Sequence, residues 1–68
     1  MSCYLYNIGT EVQTIKTLRI DGSTIPEGTV GTVRRKIEET HSLELYVPTF
    51  GRVVVVPADA VAGLAVGV

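Results

Sequence analysis

The stretch Leu43-Glu44-Leu45-Tyr46-Val47-Pro48-Thr49-Phe50-Gly51-Arg52-Val53-Val54-Val55-Val56 decides the fold class. Apolar and polar residues alternate over its first five positions. That is the period of a half-buried strand, and it puts Leu43, Leu45 and Val47 on the core face with Glu44 and Tyr46 opposite. Pro48-Thr49-Phe50-Gly51 carries the chemistry of a tight turn, since proline presets a central position and glycine accepts a positive φ. The run that follows, Arg52 to Val56, is β-branched, and its stiff side chains suit a pleated surface better than a helix. The four valines do not alternate with polar residues, so both faces of this strand are expected to be covered, one by the core and one by another surface.

The same period extends outward in both directions. Upstream, Thr29-Val30-Gly31-Thr32-Val33-Arg34-Arg35-Lys36-Ile37 is a long strand former whose interior glycine predicts a bend or bulge. Glu38-Glu39-Thr40-His41-Ser42 is a polar hairpin tip. Further back, Gly9 opens a strand over Thr10 to Ile15, with Val12 inward and Gln13 outward. Leu18-Arg19-Ile20 is a short hydrophobic segment, and Asp21-Gly22-Ser23 and Ile25-Pro26-Glu27-Gly28 read as turns. Downstream, Pro57-Ala58-Asp59-Ala60-Val61 predicts one 3₁₀ turn, because proline suits a first helical position and the segment is short. Ala62 to Val68, small and apolar, is the expected closing strand. The 68 residues are expected to form one all-β domain over 1–68, since a chain of this length buries only about 60% of its unfolded surface and has room for a single core.

Composition narrows the functional classes. Apolar residues make up 46% and charged residues 19%, which is not a disordered balance. Six basic residues stand against seven acidic ones. A dedicated nucleic-acid binder would carry an excess of positive charge, because phosphate neutralisation supplies most of its non-specific affinity. Cys3 is the single cysteine, so neither an internal disulfide nor a multi-thiolate metal site is expected, and a reducing, cytoplasmic setting fits. The first residues lack the charged and apolar regions of a secretory signal, and no run reaches the roughly 18 to 20 apolar residues of a membrane helix, so no membrane association is expected.

Gly9-Thr10-Glu11-Val12, then Glu27-Gly28-Thr29-Val30-Gly31-Thr32-Val33, then Leu45-Tyr46-Val47, and last Val53 to Val61 resemble, in that order, the landmarks of SH3-like small β-barrels. Barrels of the KOW, photosystem I subunit IV and ferredoxin–thioredoxin reductase variable-chain types share them. The resemblance spans roughly residues 8 to 66 and implies a five-stranded barrel with a 3₁₀ turn before the last strand. It implies no activity, since this architecture serves many functions. The chain is also similar to type II dihydrofolate reductase, a short SH3-like chain active only as an oligomer. The glutamine and tyrosine of that enzyme's pore motif have no counterparts among Val53, Val54, Val55 and Val56, which leaves the reductase a remote alternative.

The residues offer little chemistry. Glu38, Glu39 and His41 share a tip but are too few for a metal site, Ser42 beside His41 lacks an orienting third group, and Gly28 to Gly31 lead into a strand rather than a phosphate-holding helix N-terminus. No catalytic group, cofactor or metal is therefore expected. Between Val53 and Val68 the only charge is Asp59, more apolar surface than a small barrel hides, so Val53, Val54, Val55, Val56, Leu64 and Val66 are the expected protein interface. The reading is a non-enzymatic protein-binding or assembly module, as a homo-oligomer or an accessory subunit. The alternative is an RNA- or DNA-binding barrel, with Arg34, Lys36, Arg52 and Tyr46 as a nucleic-acid or acidic-partner patch and Tyr4 and Tyr6 available for stacking. Alternation along the strand would put Arg34 and Lys36 on one face, opposed by Glu38, Glu39 or Glu44.

Overall fold

The computed structural model of the chain describes residues 6–63. Seven strands form: β1 (Glu11–Thr14), β2 (Leu18–Ile20), β3 (Ser23–Ile25), β4 (Val30–Ile37), β5 (Ser42–Val47), β6 (Arg52–Pro57) and β7 (Val61–Gly63). A 3₁₀ turn, Ala58–Ala60, lies between β6 and β7. The all-β class and the 3₁₀ turn are as the sequence led one to expect, and no helix among the described residues is long and apolar enough to cross a membrane.

The expected closed barrel of five strands is corrected. Five strands make one open antiparallel sheet in the order β6-β5-β4-β1-β7, and β2 and β3 form a separate two-stranded hairpin. Among the described residues the edge strands β6 and β7 do not pair with each other. The extra pair comes from Asp21-Gly22, both at positive φ (52° and 77°), which close a two-residue turn opposing Ile20 to Ser23. A two-residue turn of this kind matches the right-handed twist of the strands it joins. Ser23 to Ile25 thus belongs to a strand rather than to turns, and it delivers Ile25, fully buried, to the core.

Val12, Val33, Leu43, Leu45, Val47, Val54, Val56, Ala58 and Val61 fill the core between the sheet and this hairpin, with Leu18 and Ile20 packed against them. Tyr6 also packs on this core, and its hydroxyl donates to the Val61 carbonyl at 3.2 Å, fastening the segment before β1 to β7. Tyr4, Leu64 and Val66 lie outside the described residues.

β4 is the strand on which both halves of the sheet depend. Val30, Gly31 and Thr32 pair with Gln13, Val12 and Glu11 of β1, while Thr32 to Ile37 pair with β5. At Gly31 a Cβ would stand 3.1 Å from the Tyr46 carbonyl oxygen and 3.2 Å from the Leu45 Cβ, so glycine is the residue that lets β4 and β5 approach this closely.

A second fastening is Thr14, a buried polar side chain at 3% exposure. Its hydroxyl donates to the Pro26 carbonyl at 2.8 Å and accepts the Thr29 amide at 3.0 Å, tying the end of β1 to the turn that leads into β4. Leaving such groups unpaired in the interior costs about 1–3 kcal/mol. Thr14→Val, which keeps the shape and removes the hydroxyl, is expected to lower stability by that order, about 1–3 kcal/mol. Gly31→Ala is expected to cost a similar amount, about 1–3 kcal/mol, by overpacking against backbone. Urea midpoints of the two variants check both values; an unchanged midpoint for Gly31→Ala refutes the close-approach account.

Candidate functional site

The valine run on β6 divides cleanly between two faces. Antiparallel pairing sets Val56 opposite Leu43, Val55 opposite Glu44, Val54 opposite Leu45 and Val53 opposite Tyr46. Directly opposed residues share a face, so Val54 and Val56 point into the core with Leu45 and Leu43, at 6% and 1% exposure. Val53 and Val55 point outward, each 43% exposed. The expected interface is corrected accordingly: Val54 and Val56 are this chain's own interior, and of the four only Val53 and Val55 are exposed. The sequence concealed the split because valine occupies both faces.

The outward face of the sheet continues across β5 and β4. Val53, Tyr46 and Thr32 stand side by side, and Val30, two residues before Thr32 and 37% exposed, extends the apolar surface. Next to this row lies a second, made of Val55, Glu44 and Arg35. The Arg35 guanidinium reaches the Glu44 carboxylate at 3.6 Å, and so exposed a pair contributes at most about 1 kcal/mol. A patch results in which an apolar row is bordered on one side by an ion pair.

Arg35 occupies that position because of a β-bulge. Pairing steps from Val33 opposite Leu45 to Arg35 opposite Glu44, so β4 advances two residues while β5 advances one, and Arg34 is the residue in excess. One added residue reverses the side-chain parity of everything after it. Without the bulge Arg35 would follow Gly31 and Val33 onto the core face. With it Arg34 and Arg35 are both exposed, and Lys36 falls opposite Leu43, half-buried, where its long stem can lie along apolar surface with the ammonium in water. The expectation that Arg34 and Lys36 share a face is therefore corrected, and the cross-strand carboxylate partner is that of Arg35.

The polar patch offered as a nucleic-acid surface is not assembled. Lys36 and Arg52 pair with Leu43 and Val47, positions at opposite ends of β5 and about 13 Å apart at strand spacing. Tyr46 lies on the other side of the sheet from both residues' partners, Leu43 and Val47. Arg52 instead donates from Nη2 to the Ser23 hydroxyl at 2.6 Å, bridging β6 to the β2–β3 hairpin.

At the tip between β4 and β5, His41 has a positive φ of 52° and its carbonyl accepts the Ala58 amide at 2.8 Å, a backbone role at the join with the 3₁₀ turn. Among the described residues no three His, Cys, Asp or Glu groups are placed to hold a metal ion. Comparison of the chain with protein-family models, with curated proteins and with solved structures returns no match.

The division of the valine run makes a direct prediction for stability. Val54→Ala is expected to cost about 1–3 kcal/mol through lost burial and a cavity, whereas Val55→Thr stays within about 0.5 kcal/mol of the parent. Chemical-denaturation midpoints of the two variants test the assignment of faces.

Proposed function

We propose that this chain is a non-enzymatic assembly module related to the SH3-like barrels, in an open form, and that it binds protein through the outward face of β5 and β6. Support for the kinship comes from the order of elements: a hairpin between β1 and β4, three consecutive antiparallel strands β4-β5-β6, and a 3₁₀ turn that returns the chain as β7 beside β1. One observation carries the binding role. Val53 and Val55 stay exposed beside Tyr46 on a strand whose remaining valines already complete the core. Interfaces of stable complexes combine an apolar, aromatic-containing centre with polar groups at the rim, and here the Glu44–Arg35 pair and Thr32 supply the latter. Oligomerisation also suits a chain this small, because burial against a partner adds apolar contacts that one small core lacks.

Light scattering on a size-exclusion column tests the reading. The parent is expected to show a concentration-dependent mass above the 7.3 kDa of one chain. Val53→Lys and Val55→Lys, each placing a charge on the outward face, are expected to return the mass to that of one chain with the circular dichroism of the β fold intact. A parent that remains at 7.3 kDa throughout the concentration series overturns self-assembly.

A further inference from the structure

We propose that Tyr6 is a latch on the β7 edge of the sheet: while its ring and hydroxyl are seated, β7 is closed to a further strand, and release of the segment before β1 opens it. β7 ends the five-stranded sheet and pairs, among the described residues, with β1 alone. Edge strands are kept from accepting another strand by a charge, a proline, a bulge or a covering segment. At the other end of the sheet, β6 begins at Arg52 and ends at Pro57, and the β2–β3 hairpin reaches it through the bond from Arg52 to Ser23. β7 is Val61-Ala62-Gly63, with no charge, no proline and an unbroken register against β1. Its protection falls to a covering side chain.

The register shows which backbone groups that side chain has to cover. The Ile15 amide donates to the Ala60 carbonyl at 2.9 Å, and pairing then steps through Thr14 with Val61, Gln13 with Ala62 and Val12 with Gly63. Opposed residues of an antiparallel ladder alternate between bonded and non-bonded pairs. Ala62 therefore bonds to β1, whereas the amides and carbonyls of Val61 and Gly63 point away from it. Thr14 agrees, because its amide and carbonyl are both engaged on its other side, by the Thr29 carbonyl at 2.9 Å and the Gly28 amide at 2.8 Å. The Tyr6 hydroxyl donates to the Val61 carbonyl at 3.2 Å, and so occupies an acceptor that an added strand would need. Its ring, half-buried on the core, also stands beside the far end of the strand, where a Cβ on Gly63 would lie 3.8 Å from it. The base of the latch is anchored: the Asn7 carbonyl accepts the Thr10 amide at 3.0 Å and the Gly9 amide donates to the Val33 carbonyl at 2.7 Å. Beyond that turn Tyr6 holds the segment to β7 by one hydroxyl and one ring, a contact small enough to open locally while the sheet stays folded.

In a solution of the pure protein the strands available to an opened β7 are those of other copies, so association reads the state of the latch. Tyr6→Ala, which removes ring and hydroxyl, is expected in sedimentation velocity to self-associate at a roughly tenfold lower concentration than the parent, the gain from one or two freed backbone hydrogen bonds per chain. Tyr6→Phe, which keeps the ring and frees the Val61 carbonyl, is expected to fall between the two. Gly63→Pro separates an opened edge from a general loosening. The Gly63 amide points away from β1, so proline there removes a donor that an added strand would use and leaves the β1–β7 ladder whole. Combined with Tyr6→Ala, it is expected to return association to the parent's level. The latch is overturned if Tyr6→Ala keeps its circular dichroism and associates no more readily than the parent, or if Gly63→Pro leaves its extra association unchanged. Should Tyr6→Ala lose the β fold, Tyr6→Phe carries the same comparison with and without Gly63→Pro. Each variant is compared with the parent at equal concentration, so the result does not depend on whether the parent assembles through Val53 and Val55.

Discussion

The close approach of β4 to β5 at Gly31 is the constraint from which the rest of the sheet follows. A single added carbon would stand 3.1 Å from a backbone carbonyl, an atom that cannot swing aside as a side-chain end can. With hydrogen alone at this position, Val12 of β1 and Leu45 of β5 close over the glycine from either side, and β4 can hand its pairing from β1 to β5 without a gap in the core. The Thr14 hydroxyl secures the same junction from below by holding the turn that leads into β4. Two short strands, β1 and β7, depend on this arrangement for their place in the sheet.

From that junction the bulge at Arg34 sets the character of the outward face. Before it, β4 keeps strict alternation, with Gly31 and Val33 inside. After it, the parity is reversed and Arg35 meets Glu44 in water instead of entering the core. An unpaired charge carried into the interior would cost far more than one irregularity in a ladder of hydrogen bonds. The bulge thus resolves a conflict between the long β-forming run and the three basic residues inside it. It also leaves the apolar surface of Val53, Val55 and Tyr46 bordered by a neutralised ion pair rather than by unopposed positive charge.

Much of this was legible in single residues. Leu43, Leu45 and Val47 alternate with polar neighbours and lie inside as their period requires, Val12 is core, and Pro57 precedes a 3₁₀ turn. Asp21-Gly22 was visible as a turn, yet the strand it begins was missed because Ser23-Thr24-Ile25 is short and its buried isoleucine adjoins a proline. The two-faced character of the valine run was legible, but a uniform sequence carries no period, so nothing in it shows which valines face the core. Thr14 lies two residues from Val12 on the same face, and period two pointed to its burial, but its hydrogen-bond partners come from a turn 12 to 15 residues away.

The sequence by itself determined the β class, the turns, the 3₁₀ segment and an apolar excess in the last third of the chain. These depend on local backbone preference and on side-chain period, both of which operate over a few neighbouring residues. Only the tertiary structure decided that the sheet is open, that Arg34 is in excess in its strand, that Val54 and Val56 are core while Val53 and Val55 are surface, and that Arg52 is bonded to Ser23. Each of those depends on register, the matching of one strand to another, and register is set by residues far apart in the chain packing to a common density.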